Sequence, residues 1–226
     1  MLALLYDIHG NLPALEAVLG DAESEGATRY VLGGDYALFG AWPREVVERL
    51  SGLEAVWIRG NGERWTADPA EAPKDKVVQG AIVAARQLLG AEAVAELADL
   101  PETSARGETL YCHGSPGSDV LSFGLEPGVT DAELLEGVTE RRVVFGHTHV
   151  PFVRDADGIE LCNPGSVGMS LDGNPRASYA LVDQEGAIAH RRVRYDHAAA
   201  ARAVRERFPD FGEVIARRIE AARLAG

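Results

Sequence analysis

Five short apolar runs each end in a side chain able to bind a metal ion. "LALLY" runs into Asp7-Ile8-His9, "YVLGG" into Asp35 and "AVWIRG" into Asn61. "TLYC" runs into His113 and "RVVFG" into His147-Thr148-His149. Each piece alone has an ordinary reading, because Asp, Asn and Gly at strand ends are common turn and cap chemistry. The same coincidence five times over is harder to explain that way, and four of the six histidines of the chain fall in these places. His147 and His149, two apart on a segment expected to be extended, should point to the same side. His190 and His197 lack such a context and are read as surface residues.

Mixed imidazole and carboxylate donors suit Mn, Fe, Co, Ni or Zn rather than a thiolate-type structural site. With a bridging carboxylate, two divalent ions about 3.5–4 Å apart can hold a hydroxide for in-line attack on phosphorus and neutralise the phosphoryl oxygens. A neutral amide ligand such as Asn61 adds no negative charge opposite an anionic substrate. Asn61-Gly62 is also the dipeptide of a two-residue type I′ hairpin turn. Glu63-Arg64-Trp65, however, lead into "TADPAEAPKDK" instead of a second alternating strand, so the hairpin takes second place to the ligand. Cys112 and Cys162 share no CxxC spacing, which argues against a zinc ribbon or a redox motif and leaves a reduced, buried pair.

Parallel strands connected by helices would bring these ends together, since the carboxyl ends of such strands border the ligand crevice of an open α/β sheet. The pattern supports this. Strand "LALLY" (2–6) is followed by a helix over 12–26, with Leu12, Leu15 and Leu19 on one face, Pro13 in its first turn and Gly26 as its stop. Strand 30–32, a helix over 43–50 and strand 55–58 complete a βαβαβ start with crossover helices. A longer helical region over 76–98, strand 109–112, a short helix near 131–137 and strand 142–145 come next. The last third turns to hairpins: "FVRDADGIELC" around its Asp-Gly, and "SYALVDQEGAIAHRRVRY" around residues 184–186. Residues 197–223 are rich in Ala, Arg and Glu, with Phe211, Val214, Ile215 and Ile219 at the spacing of an amphipathic helix packed on the body. With no internal repeat or linker, 226 residues read as one domain.

The formal net charge of −13 repels phosphate backbones, so stable nucleic-acid binding is not expected. A metal pair could still reverse the sign locally for a small phosphoester. The start lacks a basic n-region and its apolar run stops at Asp7, so neither a signal peptide nor a membrane span is expected, and the location is read as cytoplasmic. A homo-oligomer is left open.

The ordered set "DIH", "GGD", "GNGE", "CHG" and "GHTH" resembles the calcineurin-like metallophosphoesterase superfamily, whose pattern is D-x-H, G-D, G-N-H-[DE], H and G-H-x-H. "DIHGNLPALEAVL", "GDYALFGAWP", "HGSP" and "NPGSVG" are similar to its small bacterial and archaeal phosphodiesterases. The match runs from residue 2 to about 195, the core of a single domain over 1–226, with C-terminal helices over about 196–224 outside it. The resemblance implies a four-layer α/β/β/α sandwich of two mixed sheets flanked by helices. It implies two divalent transition-metal ions, Mn first with Fe, Ni, Co or Zn as alternatives. Asp7, His9, Asp35 and His149 would hold one ion, and Asn61, His113 and His147 the other, with Asp35 bridging. Asp35, Asn61 and His147 would be its catalytic members, and "NPGSVG" (163–168) would border the site. Asn11, Ser115 and Arg176 are candidate substrate contacts. The implied activity is a phosphodiesterase whose nucleophile is the metal-bridging hydroxide. The alternatives are a phosphomonoesterase acting on proteins or nucleotides, and a non-catalytic scaffold such as a retromer subunit of the superfamily. One departure stands out: Gly62 occupies the place where many members carry a histidine credited with leaving-group protonation.

Overall fold

The computed structural model describes residues 1–224. Two five-stranded mixed sheets face each other. In the first, β1 (Leu2–Leu5), β2 (Arg29–Leu32) and β3 (Ala55–Trp57) run parallel, while β9 (Ala177–Val182) pairs antiparallel with β1 and β10 (Ile188–Val193) with β9; the order is β10-β9-β1-β2-β3. The second has the order β4-β5-β6-β8-β7, from β4 (Thr103–Arg106), β5 (Thr109–Cys112), β6 (Arg142–Val144), β7 (Phe152–Ala156) and β8 (Ile159–Asn163). Its middle strands β5, β6 and β8 are parallel.

Alternation along the strands explains the layering. Leu4 and Tyr6 of the first chain segment point between the sheets, where they meet Val31, Tyr111, Val144 and Cys162. Ala3 and Leu5 point outward and are covered by α1 (Leu12–Ser24), α2 (Pro43–Ser51) and α5 (Ala91–Ala98). Strands buried on both faces are written as unbroken apolar runs, which is why "LALLY" shows no alternation. On the far side, Val143, Phe145 and Leu161 are covered by one short helix, α6 (Asp131–Leu134), and the long loop before it, which contributes Phe123. The expected α/β/β/α sandwich is present, with a thin fourth layer.

Four stretches gain detail. The helix over 76–98 is two helices, α4 (Lys76–Leu89) and α5, set 113° apart because Gly90 takes a left-handed φ of 84° between them. No single helix among the described residues is long and apolar enough to cross a membrane. The C-terminal amphipathic stretch is also two helices, α7 (His197–Arg207) and α8 (Gly212–Ala221), parted at Phe208-Pro209, since the residue before a proline avoids the helical region. Strand β4, paired antiparallel with β5, has no signal in the apolar pattern because its sequence is "TSAR". Finally, the chain enters helix α3 (Asn61–Ala67) at Asn61, so "VWIRGNGERW" is no hairpin. The hairpins β7–β8 and β9–β10 are as expected.

Candidate metal centre

All five ligand-bearing ends reach one rim between the two sheets, and the backbone there is unusual. Asp7, His9, Asp35, His147 and His149 have φ between 50° and 64°. Left-handed conformations are uncommon outside glycine and are kept only where the surroundings enforce them, often at functional sites. The enforcement is visible. The loop after β1 lies along the loop after β2, through Asp7 N–H to Gly34 O (3.2 Å), His9 N–H to Asp35 O (2.8 Å) and Gly10 N–H to Tyr36 O (2.7 Å). The segment 163–168 borders the site and ties two loops together. Asn163 Nδ2 donates to Gly146 O at 2.8 Å, and Ser166 Oγ donates to Asp7 O at 2.7 Å. The His147 N–H donates to Asp7 Oδ2 at 3.0 Å. Gly146 is required for that contact, because a β-carbon there would lie 2.5 Å from the same oxygen.

Donor and acceptor assignments make the centre informative. His9 Nδ1 faces Leu38 O (3.1 Å), His149 Nδ1 faces Met169 O (2.6 Å) and His113 Nδ1 faces Gly33 O (2.8 Å). A carbonyl can only accept, so each Nδ1 carries the proton and each neutral ring turns a lone pair on Nε2 inward. Carbonyl partners of this kind commonly orient metal-binding histidines. His9 Nε2 and His149 Nε2 then meet at 3.0 Å, two acceptors face to face. Asp7 Oδ1 lies 3.4 Å from His149 Nε2, 3.9 Å from His113 Nε2 and 4.0 Å from His9 Nε2, is fully buried, and has no hydrogen-bond partner. Asp35 turns Oδ2 to His9 (3.8 Å) and Oδ1 to His113 (3.6 Å). Asn61 Oδ1 faces His113 Nε2 at 3.1 Å. Reversing the Asn61 amide would set its NH2 2.9 Å from His147 Nδ1 and 3.1 Å from His113 Nε2. Oxygen inward serves a cation, nitrogen inward serves two bare imidazoles.

A ring of buried acceptors with one orphaned carboxylate oxygen needs positive charge, and a divalent ion fits the donor set. Two groups, Asp7–His9–His149 and Asp7–Asp35–His113, have ligand atoms close enough together to hold an ion. Protons are the alternative source of charge. Burial disfavours protonation of His113 and His149, but the charges of Asp35 and Asp7 outweigh it and raise both pKa values. Burial, with the charge of His149, lowers His9 to about 4. Burial alone would raise Asp7, yet the three neighbouring histidines hold it far below the usual carboxylate range.

The seven candidate ligands thus converge, with one correction. His147 and His149 both enter the centre, but on left-handed turn residues instead of an extended segment, so strand alternation does not set their directions. His149 pairs with His9, whereas His147 stands edge-on to His113 with ring centroids 5.3 Å apart. The other candidates have local partners. Asn11 caps α1 through Oδ1 and donates through Nδ2 to Gly168 O (2.7 Å) and Tyr195 Oη (3.1 Å). Ser115 is buried, with its Oγ directed at Ser118 O (3.5 Å) within its own loop. Arg176 is exposed at the start of β9, in the wall of a cavity shared with Arg194.

Glu63, the acidic member of "GNGE", has contacts that the motif did not reveal. Its Oε2 accepts from Asp35 N–H (2.8 Å) and Gly60 N–H (2.9 Å), and its Oε1 from Tyr36 N–H (2.8 Å). Burial and the charge of Asp35 push its pKa up to about 7 against those three donors. One carboxylate therefore fixes the loop carrying Asp35 to the turn carrying Asn61.

Comparison with known proteins agrees with this geometry. The profile described as "Calcineurin-like phosphoesterase superfamily domain" matches residues 1–187. The chain is 30% identical over 233 residues to protein MJ0912 of Methanocaldococcus jannaschii, covering 93% of this chain and 95% of that one. It is 28% identical over 204 residues to phosphodiesterase YfcE of Escherichia coli K12, covering 82% and 89%. The crystal structure of a metallophosphoesterase from Sphaerobacter thermophilus superimposes with a TM-score of 0.83 at 28% identity, over 98% of both chains. A fold of two mixed sheets, a rim of buried Asp and His able to hold metal, and a family match over most of the chain lead to one assignment: the chain belongs to the calcineurin-like phosphoesterase superfamily.

Proposed function

We propose that this chain hydrolyses small phosphodiesters with two divalent transition-metal ions, Mn first. The observation that carries the reading is the orphaned Asp7 Oδ1 among inward-facing acceptors, common to two overlapping groups that could each hold an ion. Asp7, His9, Asp35 and His149 would hold one ion and Asn61, His113 and His147 the other, with Asp35 shared. Bound there, the ions would supply Lewis-acid activation of water and neutralise charge on the phosphoryl oxygens. The chain's own part is orientation. Leu38 O, Met169 O and Gly33 O fix three imidazoles in one tautomer. Asn61 presents a neutral oxygen, and Glu63 ties the Asp35 loop to the turn carrying Asn61.

Diester preference rests on residue 62. Glycine there offers no acid to the leaving group, which favours substrates whose leaving group needs little protonation, such as aryl esters. The name of the relative YfcE points the same way. The scaffold alternative finds less support, since adapters on this fold tend to lose ligands and all seven candidates are present and converge.

The test is a panel of aryl and alkyl diesters, monoesters and cyclic nucleotides, run on EDTA-treated protein reloaded with Mn, Ni, Co, Zn or Mg. Hydrolysis of aryl diesters ahead of monoesters, dependent on added transition metal, is the expected result. Monoesters cleaved faster than every diester, or full activity of metal-stripped protein, would sink the reading.

A further inference from the structure

A cavity of about 480 Å³ opens where β9 begins and β10 ends, lined by Asn174, Pro175, Arg176, Arg194, Tyr195 and His197. We propose that it binds a phosphate monoester group carried by the substrate at a distance from the reacting diester. The inference rests on the function proposed above and narrows it to diesters in which one alcohol is itself phosphorylated.

Topology puts the cavity on the metal-binding rim. β9 runs antiparallel to β1, so residues just before Ala177 lie at the end where β1 delivers Asp7. β10 returns antiparallel to β9 with Val193 opposite Ala177, so Arg194 and Arg176 face each other one step beyond the ladder. Strands are spaced about 5 Å apart, so β10 lies about 10 Å from β1 across the sheet. That span suits one sugar or glycerol unit between two phosphates. The walls are also tied to the His9/His149 half. Tyr195 Oη accepts from Asn11, two residues after His9. The carbonyl of Arg176 accepts from Ser170 Oγ at 3.0 Å, next to the Met169 whose carbonyl holds His149.

Charge identifies the ligand. Neighbouring arginines are neutralised: Arg192 pairs with Asp172, and Arg191 with Asp21 and Glu25. Among the described residues no carboxylate pairs with Arg176 or Arg194. The body of the protein carries a net charge of −13, so two arginines without carboxylate partners in one cavity wall form a local positive site in a repulsive field. Each guanidinium can engage two oxygens at once, a match for a dianionic phosphate rather than for a single carbonyl or hydroxyl. His197 adds a further ring nitrogen at the start of α7.

Two measurements test it. The first needs no catalysis: inorganic phosphate is titrated calorimetrically into the EDTA-treated full chain and into Arg194→Glu, whose fold is checked by circular dichroism. Binding should weaken at least about tenfold in the variant, the scale of a lost charged hydrogen bond. The second compares the p-nitrophenyl ester of thymidine 5′-phosphate with and without a 3′-phosphate. Wild-type protein should favour the phosphorylated form, and Arg194→Glu should reduce that preference mainly through KM, with Arg194→Lys intermediate. Equal phosphate binding in wild type and Arg194→Glu, or a substrate preference that Arg194→Glu leaves unmoved, overturns the proposal. If neither diester is cleaved, the function reading fails and the calorimetric comparison still decides the site.

Discussion

The backbone N–H of Gly62 donates to Asp35 Oδ1 at 2.7 Å, and a β-carbon on residue 62 would lie 2.8 Å from the same oxygen. The glycine is therefore more than a missing histidine. It lets the first turn of α3 approach the carboxylate proposed to be shared between the ions. Gly62→His should consequently fail to install a leaving-group acid. The new side chain must push Asp35 aside, so metal content and turnover of aryl diesters should both fall. Elemental analysis and rates on paired aryl and alkyl diesters would check this; a variant gaining alkyl-ester activity with full metal content would contradict it.

Glu63 yields a second prediction. Glu63→Gln keeps the shape but turns an NH2 towards the N–H groups of Asp35, Tyr36 or Gly60, leaving at least one buried donor unpaired. The cost to stability should be about 1–3 kcal/mol. A structural cap alone would show only that loss. A positioning role also predicts a weaker Mn isotherm at temperatures well below the unfolding transition, and an unchanged isotherm would reduce Glu63 to a cap.

What could be read in the sequence was chemical type and order. The strand ends ending in Asp, Asn and His follow from local residues, and so do the βαβαβ start and both hairpins. What stayed hidden depends on contacts far apart in the chain. His147 and His149 meet different partners, His113 and His9, on a left-handed turn whose His147 N–H is held by Asp7 Oδ2, 140 positions away. The motif marks Glu63 as acidic, but its partners on the Asp35 loop, 27–28 positions distant, show only in the fold. Strand β4 exists because β5 offers an edge to "TSAR", whose own pattern is nearly silent.

The two cysteines carry a third prediction. Cys112 ends β5 and Cys162 lies on β8, with β6 between them. Two strand spacings of about 5 Å exceed the ordinary reach of a disulfide. Burial raises the Cys112 thiol strongly and pushes Cys162 up to about 12. Both should remain thiols at pH 8 and ignore Ellman's reagent in the folded protein, then react together once it unfolds. Rapid labelling of either in native buffer would show that the interior between and beneath the sheets opens on that timescale.

The C-terminal helices, outside the stretch that resembles the superfamily pattern, are joined to the centre through carbonyl groups. Val204, Phe208, Phe211, Ile215 and Ile219 pack in one cluster with Leu38 and Met169. The backbone oxygens of Leu38 and Met169 hold His9 Nδ1 and His149 Nδ1. Loosening the helix pair should therefore disturb one half of the site before the other. Phe211→Ala should destabilise the fold by about 3–5 kcal/mol, the usual cost of emptying a buried phenyl position. Ile215→Val, a milder truncation costing about 0.5–1.5 kcal/mol, keeps the protein folded for binding work. Calorimetric titration with Mn should show affinity falling in the His9/His149 half while the half built on Asn61, His113 and His147 is spared. His9→Ala, which removes a ligand from the same half, supplies the reference for which binding step is lost. A lower melting temperature with both binding steps unchanged would mean that the helices cover the core without aligning the histidines.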